Sequence, residues 1–384
     1  MNIMRETAGG TVTAEPEWPA GAALSGVLGQ LGSAVGLVSE PDCVELRAQL
    51  GAVADGTAHV LAGGDCAEMF DEVSAHTTRR KAAQLAELAE LVEIATALPT
   101  VTIGRLAGQF AKPRSAATEA LANGDVVPVY RGDAVNAADA RQRVADPTRM
   151  ISAYHRSAEI HGHLATLRTD SRRRIFTSHE ALLLDFENAL VRSASRGEYA
   201  ASAHLLWAGE RTRHPLGQHV ELLARITNPV AVKLGPSAAP QDLAPLIDIL
   251  DPQRRPGRLS FITRLGARGV TELLPSLAAA ARAAGCQPVW VCDPMHANSR
   301  QAPSGRKIRL VADVRAEVLG FVAALRSAGA HPGGVHLEMT PDDVTECVGV
   351  VDDPTPRYWT GCDPRLNPAQ AREIVRAFAE AVTA

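Results

Sequence analysis

The chain has 384 residues, 46% of them hydrophobic and 21% charged, enough for one large domain with an extension or for two modest ones. A net charge of −4, 4% aromatic residues and no basic block longer than Ser171–Arg174 exclude a broad nucleic-acid surface. No apolar run reaches 18 residues, and the start lacks the apolar core of a signal peptide. A cytoplasmic location with reduced thiols is therefore expected. The six cysteines form no CxxC pair, which removes zinc-ribbon and thioredoxin-like chemistry.

Residues 1 to about 20 are small, polar and Gly-rich, and mobility is expected there. From there to Asp55 apolar residues recur at three- and four-residue spacing, a helical extension over 1–55 packed on a main domain over 56–384. Eight short apolar runs then alternate with amphipathic stretches: "HVLAGG", "TVTIGR", "RIFTSHE", "HLLWAGE", "VAVKLG", "LSFITRLG", "PVWVCDPMH" and "GGVHLEMT". The last is followed by a helix with Asn367 as N-cap and Pro368 in its first turn. Eight β/α units and no early GxGxxG favour a closed (β/α)8 (TIM) barrel over a doubly wound sheet. The connection between the second and third strands, about 112–174, exceeds the needs of one helix, and "ISAYHRSAEIHGHLATL" reads as its helical part.

Barrel strands deliver reactive side chains from their carboxyl ends. Those ends give Cys66 after the first strand, Arg105 at the second, Glu210 and Arg211 after the fourth, Lys233 and Arg264 at the fifth and sixth, His296 after the seventh, and Glu338 at the eighth. Asp363 lies on the loop beyond. In a closed barrel the seventh, eighth and first strands are neighbours, so a thiol, an imidazole and carboxylates meet in a mixed S/N/O/O divalent-metal site. Arg105, Arg211, Lys233 and Arg264 form a cationic wall for phosphate and carboxylate groups. Each residue alone has a plain structural reading: a core cysteine, a hydrogen-bonded histidine, rim arginines. So many charges at one barrel end are costly unless ligands or partners neutralise them. Ligand softness leaves zinc, iron and manganese open. Only four lysines stand against 35 arginines, and Lys112 and Lys233 both fall beside strand ends.

"LAGGDCAE", "RLAGQFAKPRS", "YRGDAVN", "FTSHEALLLDFE", "WAGERTRHPLGQH", "NPVAVKLGP", "ITRLGA", "DPMHAN", "GGVHLEMTPDDVTECVG" and "CDPRLNP" together resemble, in order, the type II (plant-like) 3-deoxy-D-arabino-heptulosonate 7-phosphate (DAHP) synthases, in a short form. The resemblance implies a transferase that condenses phosphoenolpyruvate with erythrose 4-phosphate, the first step toward shikimate and chorismate. It implies a manganese or cobalt ion on Cys66, His296, Glu338 and Asp363, acting as a Lewis acid on the aldehyde oxygen. Phosphoenolpyruvate would be held by Arg105, Glu210, Arg211, Lys233 and Arg264, and the sugar phosphate by Lys112, Arg114 and Ser115. Lys233, crowded by arginines, is expected to have a lowered pKa and to move a proton near C2.

Regulated relatives carry an extra helical pair between the second and third strands that helps form an aromatic amino-acid site. Here about ten residues separate helix from strand, so weak or absent feedback is expected, suited to a specialised pathway from chorismate such as that to phenazines. Cys362, next to Asp363, is expected near Cys66, where oxidation could join the two and eject the metal. A homo-oligomer is expected. Alternatives are an amino-DAHP synthase using an imino-erythrose phosphate, a non-catalytic barrel partnering a chorismate-using enzyme, and a metal-dependent aldolase that releases no phosphate.

Overall fold

The eight apolar runs pair side by side in one closed parallel barrel in the computed structural model, which describes residues 15–21, 23–114, 116–121, 124–167, 174–353 and 356–384. The strands are β1 (His59–Gly64), β2 (Thr100–Arg105), β3 (Ile175–Glu180) and β4 (Leu205–Ala208). They continue as β5 (Val230–Leu234), β6 (Leu259–Thr263), β7 (Val289–Cys292) and β8 (Gly334–Glu338). Each pairs with its predecessor, and β8 closes on β1 from Val60↔Gly334 to Gly64↔Glu338. This closure rules out the open doubly wound sheet.

Period-two alternation fixes which residues enter the barrel. Val60, Ala62, Val101, Ile103, Phe176, Leu205, Trp207, Ala231, Ile262, Val289 and Val291 form the interior, and Leu46, Leu50 and Val53 join them from below. Those three lie on α2 (Glu40–Ala54), which follows α1 (Leu24–Ser33) and plugs the amino-terminal end of the barrel. Ser39 caps α2, its Oγ accepting from the Asp42 N–H at 3.4 Å.

The outer faces of the strands bury against a ring of helices, in a second core that includes Leu88, Leu223, Leu246, Leu274, Phe321 and Phe378. The ring is α3 (Ala75–Thr96), α4 (Arg149–Thr166), α5 (Leu184–Ala189), α6 (Gln218–Arg225), α7 (Leu243–Leu250), α8 (Val270–Ala283), α9 (Val311–Ser327) and α10 (Pro368–Thr383). Asn367 caps α10 reciprocally: its Oδ1 accepts from the Gln370 N–H at 3.0 Å, and Gln370 Oε1 accepts from the Asn367 N–H at 3.1 Å.

Three departures from the sequence reading concern short pieces. The 112–174 connection contains a hairpin of Thr118–Ala120 and Val126–Pro128. A second hairpin joins Val191–Ala194 to Gly197–Ala200, and a three-stranded sheet of Ser299–Gln301, Lys307–Leu310 and Cys347–Val348 ties the loops after β7 and β8 together. Strands of two to four residues are too short to show alternation. At the amino end, residues 1–14 lie outside the described residues, and 15–18 make contacts with α5. Glu15 Oε1 accepts from the Leu184 N–H at 2.7 Å, and Trp18 Nε1 donates to Asp185 at 2.8 Å. Among the described residues no helix is long and apolar enough to cross a membrane.

Candidate active site

The inward phase of each strand, carried past its last core residue, reaches a cavity of about 490 Å³ at the carboxyl-end face. Ile103 is followed two residues later by Arg105, Ala231 by Lys233, Ile262 by Arg264, Val291 by Asp293 and His336 by Glu338. On β1 the same phase passes Gly64 and arrives at Cys66. Gly64 has φ +152°, and a Cβ there would meet the Arg105 carbonyl oxygen at 2.6 Å, so only glycine lets β1 and β2 close at this level.

One side of the cavity gathers potential metal donors. Atoms of Cys66, Cys362 and Asp363 lie within 4.8 Å of one another, and so do atoms of His296, Glu338 and Asp363. Asp363 belongs to both groups and so links Cys66 and Cys362 to His296 and Glu338 along one side of the cavity. Cys66 Sγ is 3.4 Å from Asp363 Oδ2 and 2.6 Å from Cys362 Sγ, and His296 Nε2 is 3.0 Å from Glu338 Oε1. Glu338 is fully buried, and no well-directed hydrogen bond reaches its Oε1, although Arg105 Nη2 stands 3.2 Å away. A buried carboxylate oxygen left open beside a thiol, an imidazole and a second carboxylate fits a divalent cation.

Electrostatics favour the ionised form of Glu338, Asp363 and Cys362, and disfavour it at Cys66. Burial would raise the Glu338 carboxyl, but His296, Arg309 and Arg105 outweigh it and hold it well below the usual range. Asp363 is likewise held low: burial opposes ionisation, and Lys112 overcomes it, helped by Lys307 at 2.8 Å. The Cys362 thiol is held below its ordinary value against burial by its contact with Cys66 and by Lys112. Cys66 is pushed up by that contact and by burial.

The other side is the cationic wall, and Trp207 forms its floor. The Arg105 guanidinium and the Lys233 ammonium lie 5.5 and 5.6 Å from the indole centroid, and His336 packs edge-on at 5.2 Å. An aromatic face under two cations stabilises them in a dry setting by about 1–2 kcal/mol each. Arg211 and Arg264 also line the cavity, and neither has an ion-pair partner among the described residues. A Cβ on Gly235 would fall 2.9 Å from both Arg264 Nη1 and Glu210 Cδ, so glycine there admits both side chains. Glu210 spends its carboxylate on the Gly235 N–H at 2.5 Å and on Ser237 Oγ, which makes it an organiser of the wall rather than a direct anion contact.

The residues read as the sugar-phosphate end are spread out. Arg114 lines the cavity mouth and pairs with Glu119 at 3.6 Å. Lys112 stands on the donor side, 3.2 Å from Asp363 Oδ2 and 3.7 Å from Cys66 Sγ. Ser115 lies outside the described residues. The premise about Lys233 needs correction: it is not surrounded by cations alone, because its Nζ pairs with the fully buried Asp293 at 2.7 Å.

Asp293 was missed by the sequence reading, together with Glu180, Trp207, Lys307 and Arg309. Asp293 and Glu180 were detectable, being in phase with inward neighbours. Arg309, which donates to Glu338 Oε2 at 2.7 Å, comes from the short sheet and carried no such signal.

A (β/α)8 barrel with metal-type donors facing a basic wall over one cavity defines an enzyme class for small anionic substrates. The chain belongs to the class-II DAHP synthetase family, whose model matches residues 5–171 and 165–379. It is 41% identical over 424 aligned residues to the phospho-2-dehydro-3-deoxyheptonate aldolase of Streptomyces coelicolor, covering 95% of this chain and 94% of that protein. It is 42% identical over 379 residues to a probable phospho-2-dehydro-3-deoxyheptonate aldolase of Pseudomonas fluorescens, with the same coverage of each. The first alignment is longer than this chain, so the Streptomyces protein carries segments absent here. A solved phospho-2-dehydro-3-deoxyheptonate aldolase from Francisella tularensis shares the fold at TM-score 0.56 and 13% identity, covering 100% of this chain and 99% of that one.

Proposed function

We propose that this chain is a DAHP synthase: it condenses phosphoenolpyruvate with erythrose 4-phosphate and releases inorganic phosphate, the first step toward shikimate. The observation that carries the reading is that two donor groups sharing Asp363, one with Cys66 and Cys362 and one with His296 and Glu338, lie along one cavity with Arg105, Lys233, Arg264 and Arg211.

Arg105 and Lys233, resting on Trp207, and Arg211 and Arg264, which have no ion-pair partner among the described residues, bind the carboxylate and phosphate of phosphoenolpyruvate and fix the face from which its C3 attacks. Holding both reactants in one cavity turns a bimolecular encounter into an oriented one. Cys66, His296, Glu338 and Asp363 would hold a divalent ion, manganese or cobalt, which would supply Lewis acidity toward the aldehyde oxygen of the sugar phosphate. Lys233 Nζ, with Asp293 as its counter-charge, holds the proton that moves near C2 as water adds there and the C–O bond to phosphate breaks. Arg114, at the mouth, faces the distal phosphate of the aldose.

Weak aromatic feedback belongs to the same reading. Eight residues separate Thr166 at the end of α4 from Ile175 at the start of β3, too few for two further helices. Six of them, 168–173, lie outside the described residues.

One assay tests the function: purified protein with phosphoenolpyruvate, erythrose 4-phosphate and manganese, following phosphoenolpyruvate loss and phosphate release, with a chelator control. Equimolar loss and release that stop with chelator are expected. Turnover without phosphate release, or none with fully metal-loaded protein, overturns the reading.

A further inference from the structure

His296 lies between two buried carboxylates, and each of these also holds a cation of the opposite wall. Its Nε2 is 3.0 Å from Glu338 Oε1, which is 3.2 Å from Arg105 Nη2. Its Nδ1 is 2.7 Å from Asp293 Oδ2, and the same oxygen is 2.7 Å from Lys233 Nζ. Asp293 Oδ1 accepts from the Met295 N–H at 3.1 Å, which fixes the plane of the carboxylate. Asp293 is fully buried, so its charge acts on these neighbours with little screening by water.

We propose that Asp293 is a positioning residue that couples the two halves of the site, so that cation binding at His296 and anion binding at Lys233 strengthen each other. The inference rests on the functional reading above.

The physical reason is competition for one oxygen. With Nδ1–H donated to Asp293, the imidazole presents Nε2 as the free lone pair toward Glu338 and Asp363, the tautomer a metal ligand needs. A substrate anion that draws the Lys233 ammonium away leaves more of the Asp293 charge on the imidazole, which makes Nε2 a better donor. A cation on Nε2 polarises the imidazole and draws Asp293 toward Nδ1–H, and this loosens Lys233 for the anion. Reciprocity follows: whatever factor the anion adds to cation affinity, the cation must add to anion affinity. Glu338 contributes in parallel through Arg105, but as a donor it cannot be altered without removing the cation site.

The test is calorimetric titration of Mn²⁺ with and without saturating phosphoenolpyruvate, and of phosphoenolpyruvate with and without Mn²⁺, no aldose being present so that nothing turns over. In the wild-type protein each ligand should tighten the other by about tenfold, within the usual range for coupled sites. In Asp293→Asn the factor should fall below about twofold, even where both ligands still bind. Equal coupling in wild type and variant overturns the proposal and leaves the functional reading standing. Wild-type protein that binds neither ligand overturns both.

A second comparison separates a shared carboxylate from simple charge repulsion. Lys233→Met should tighten Mn²⁺ severalfold in the wild-type background, by freeing Asp293, and not in the Asp293→Asn background. Repulsion alone would act in both backgrounds, and that result overturns the proposal. If Asp293→Asn is recovered unfolded, Lys233→Met alone decides: unchanged Mn²⁺ affinity overturns it.

Discussion

Replacing Glu68 by Gln should loosen the loop that carries Lys112 without touching the cavity. Glu68 is buried beneath the segment after β2, where its Oε1 accepts from the Ala107 N–H at 3.1 Å. Its Oε2 accepts from Gly108 and Gln109 at 3.0 Å each, and its own N–H donates to the Gln109 carbonyl at 2.8 Å. Ala107 sits at φ 64°, a conformation alanine adopts only when held. A glutamine can turn its single oxygen toward Gly108 and Gln109, but its NH2 then faces the Ala107 N–H. One orphaned buried N–H costs about 1–3 kcal/mol, and two bonds made to a neutral acceptor lose about 0.5 kcal/mol each. The loop should therefore open more easily by about 2–4 kcal/mol, which speeds local amide exchange roughly 30- to 1,000-fold. Hydrogen–deuterium exchange on a peptide spanning 106–112, with β6 peptides as internal reference, reads this directly. Exchange within about threefold of wild type would show that the three bonds do not hold the loop.

Three further expectations follow from the geometry. Burial first, then Asp293, pushes Glu317 up to about 7 against the N–H groups of Gly266 and Leu265. Folding thus favours its protonated form: the stabilisation is complete below the unfolded value near 4.5 and is lost as pH rises through 7, roughly 3 kcal/mol in all. Melting temperatures of wild type and Glu317→Gln should diverge across that window, and a constant difference would sink the assignment. Cys66 and Cys362, with sulfurs 2.6 Å apart, should lose two thiols to hydrogen peroxide as they form a disulfide, with release of bound Mn²⁺; full metal and thiol retention rejects this. Lys233→Ala should lower kcat by about 10²- to 10⁴-fold while phosphoenolpyruvate affinity changes far less, and an unchanged kcat discards its proton-transfer role.

The barrel was legible because eight apolar runs alternate with amphipathic stretches, and several end on a polar residue in the inward phase, as in Ile103–Arg105 and Ala231–Lys233. Counting eight such runs places the first beside the last, and that adjacency sets the carboxyl end of β1 next to Glu338. Partners supplied from across the ring were not legible. Nothing in "VAVKLG" says that its lysine meets Asp293 rather than further arginines, since the pairing depends on β5 and β7 converging on His296. Arg309 was hidden for another reason: it belongs to a sheet whose strands come from two different loops, with no local pattern to mark it. Trp207 reads from sequence as one more apolar strand residue, and only the ring of strands turns its indole face upward under two cations.

The donors that meet at Asp363 are drawn from almost the full length of the chain, with Cys66 and Asp363 separated by 297 positions. A ribosome therefore releases the first of them long before the last exists. The nascent barrel cannot assemble this pocket until its final strand docks against its first. A chain cut short before Asp363 would keep most of its helices and strands yet lack one of the donors proposed for the ion, so it is expected to hold metal more weakly.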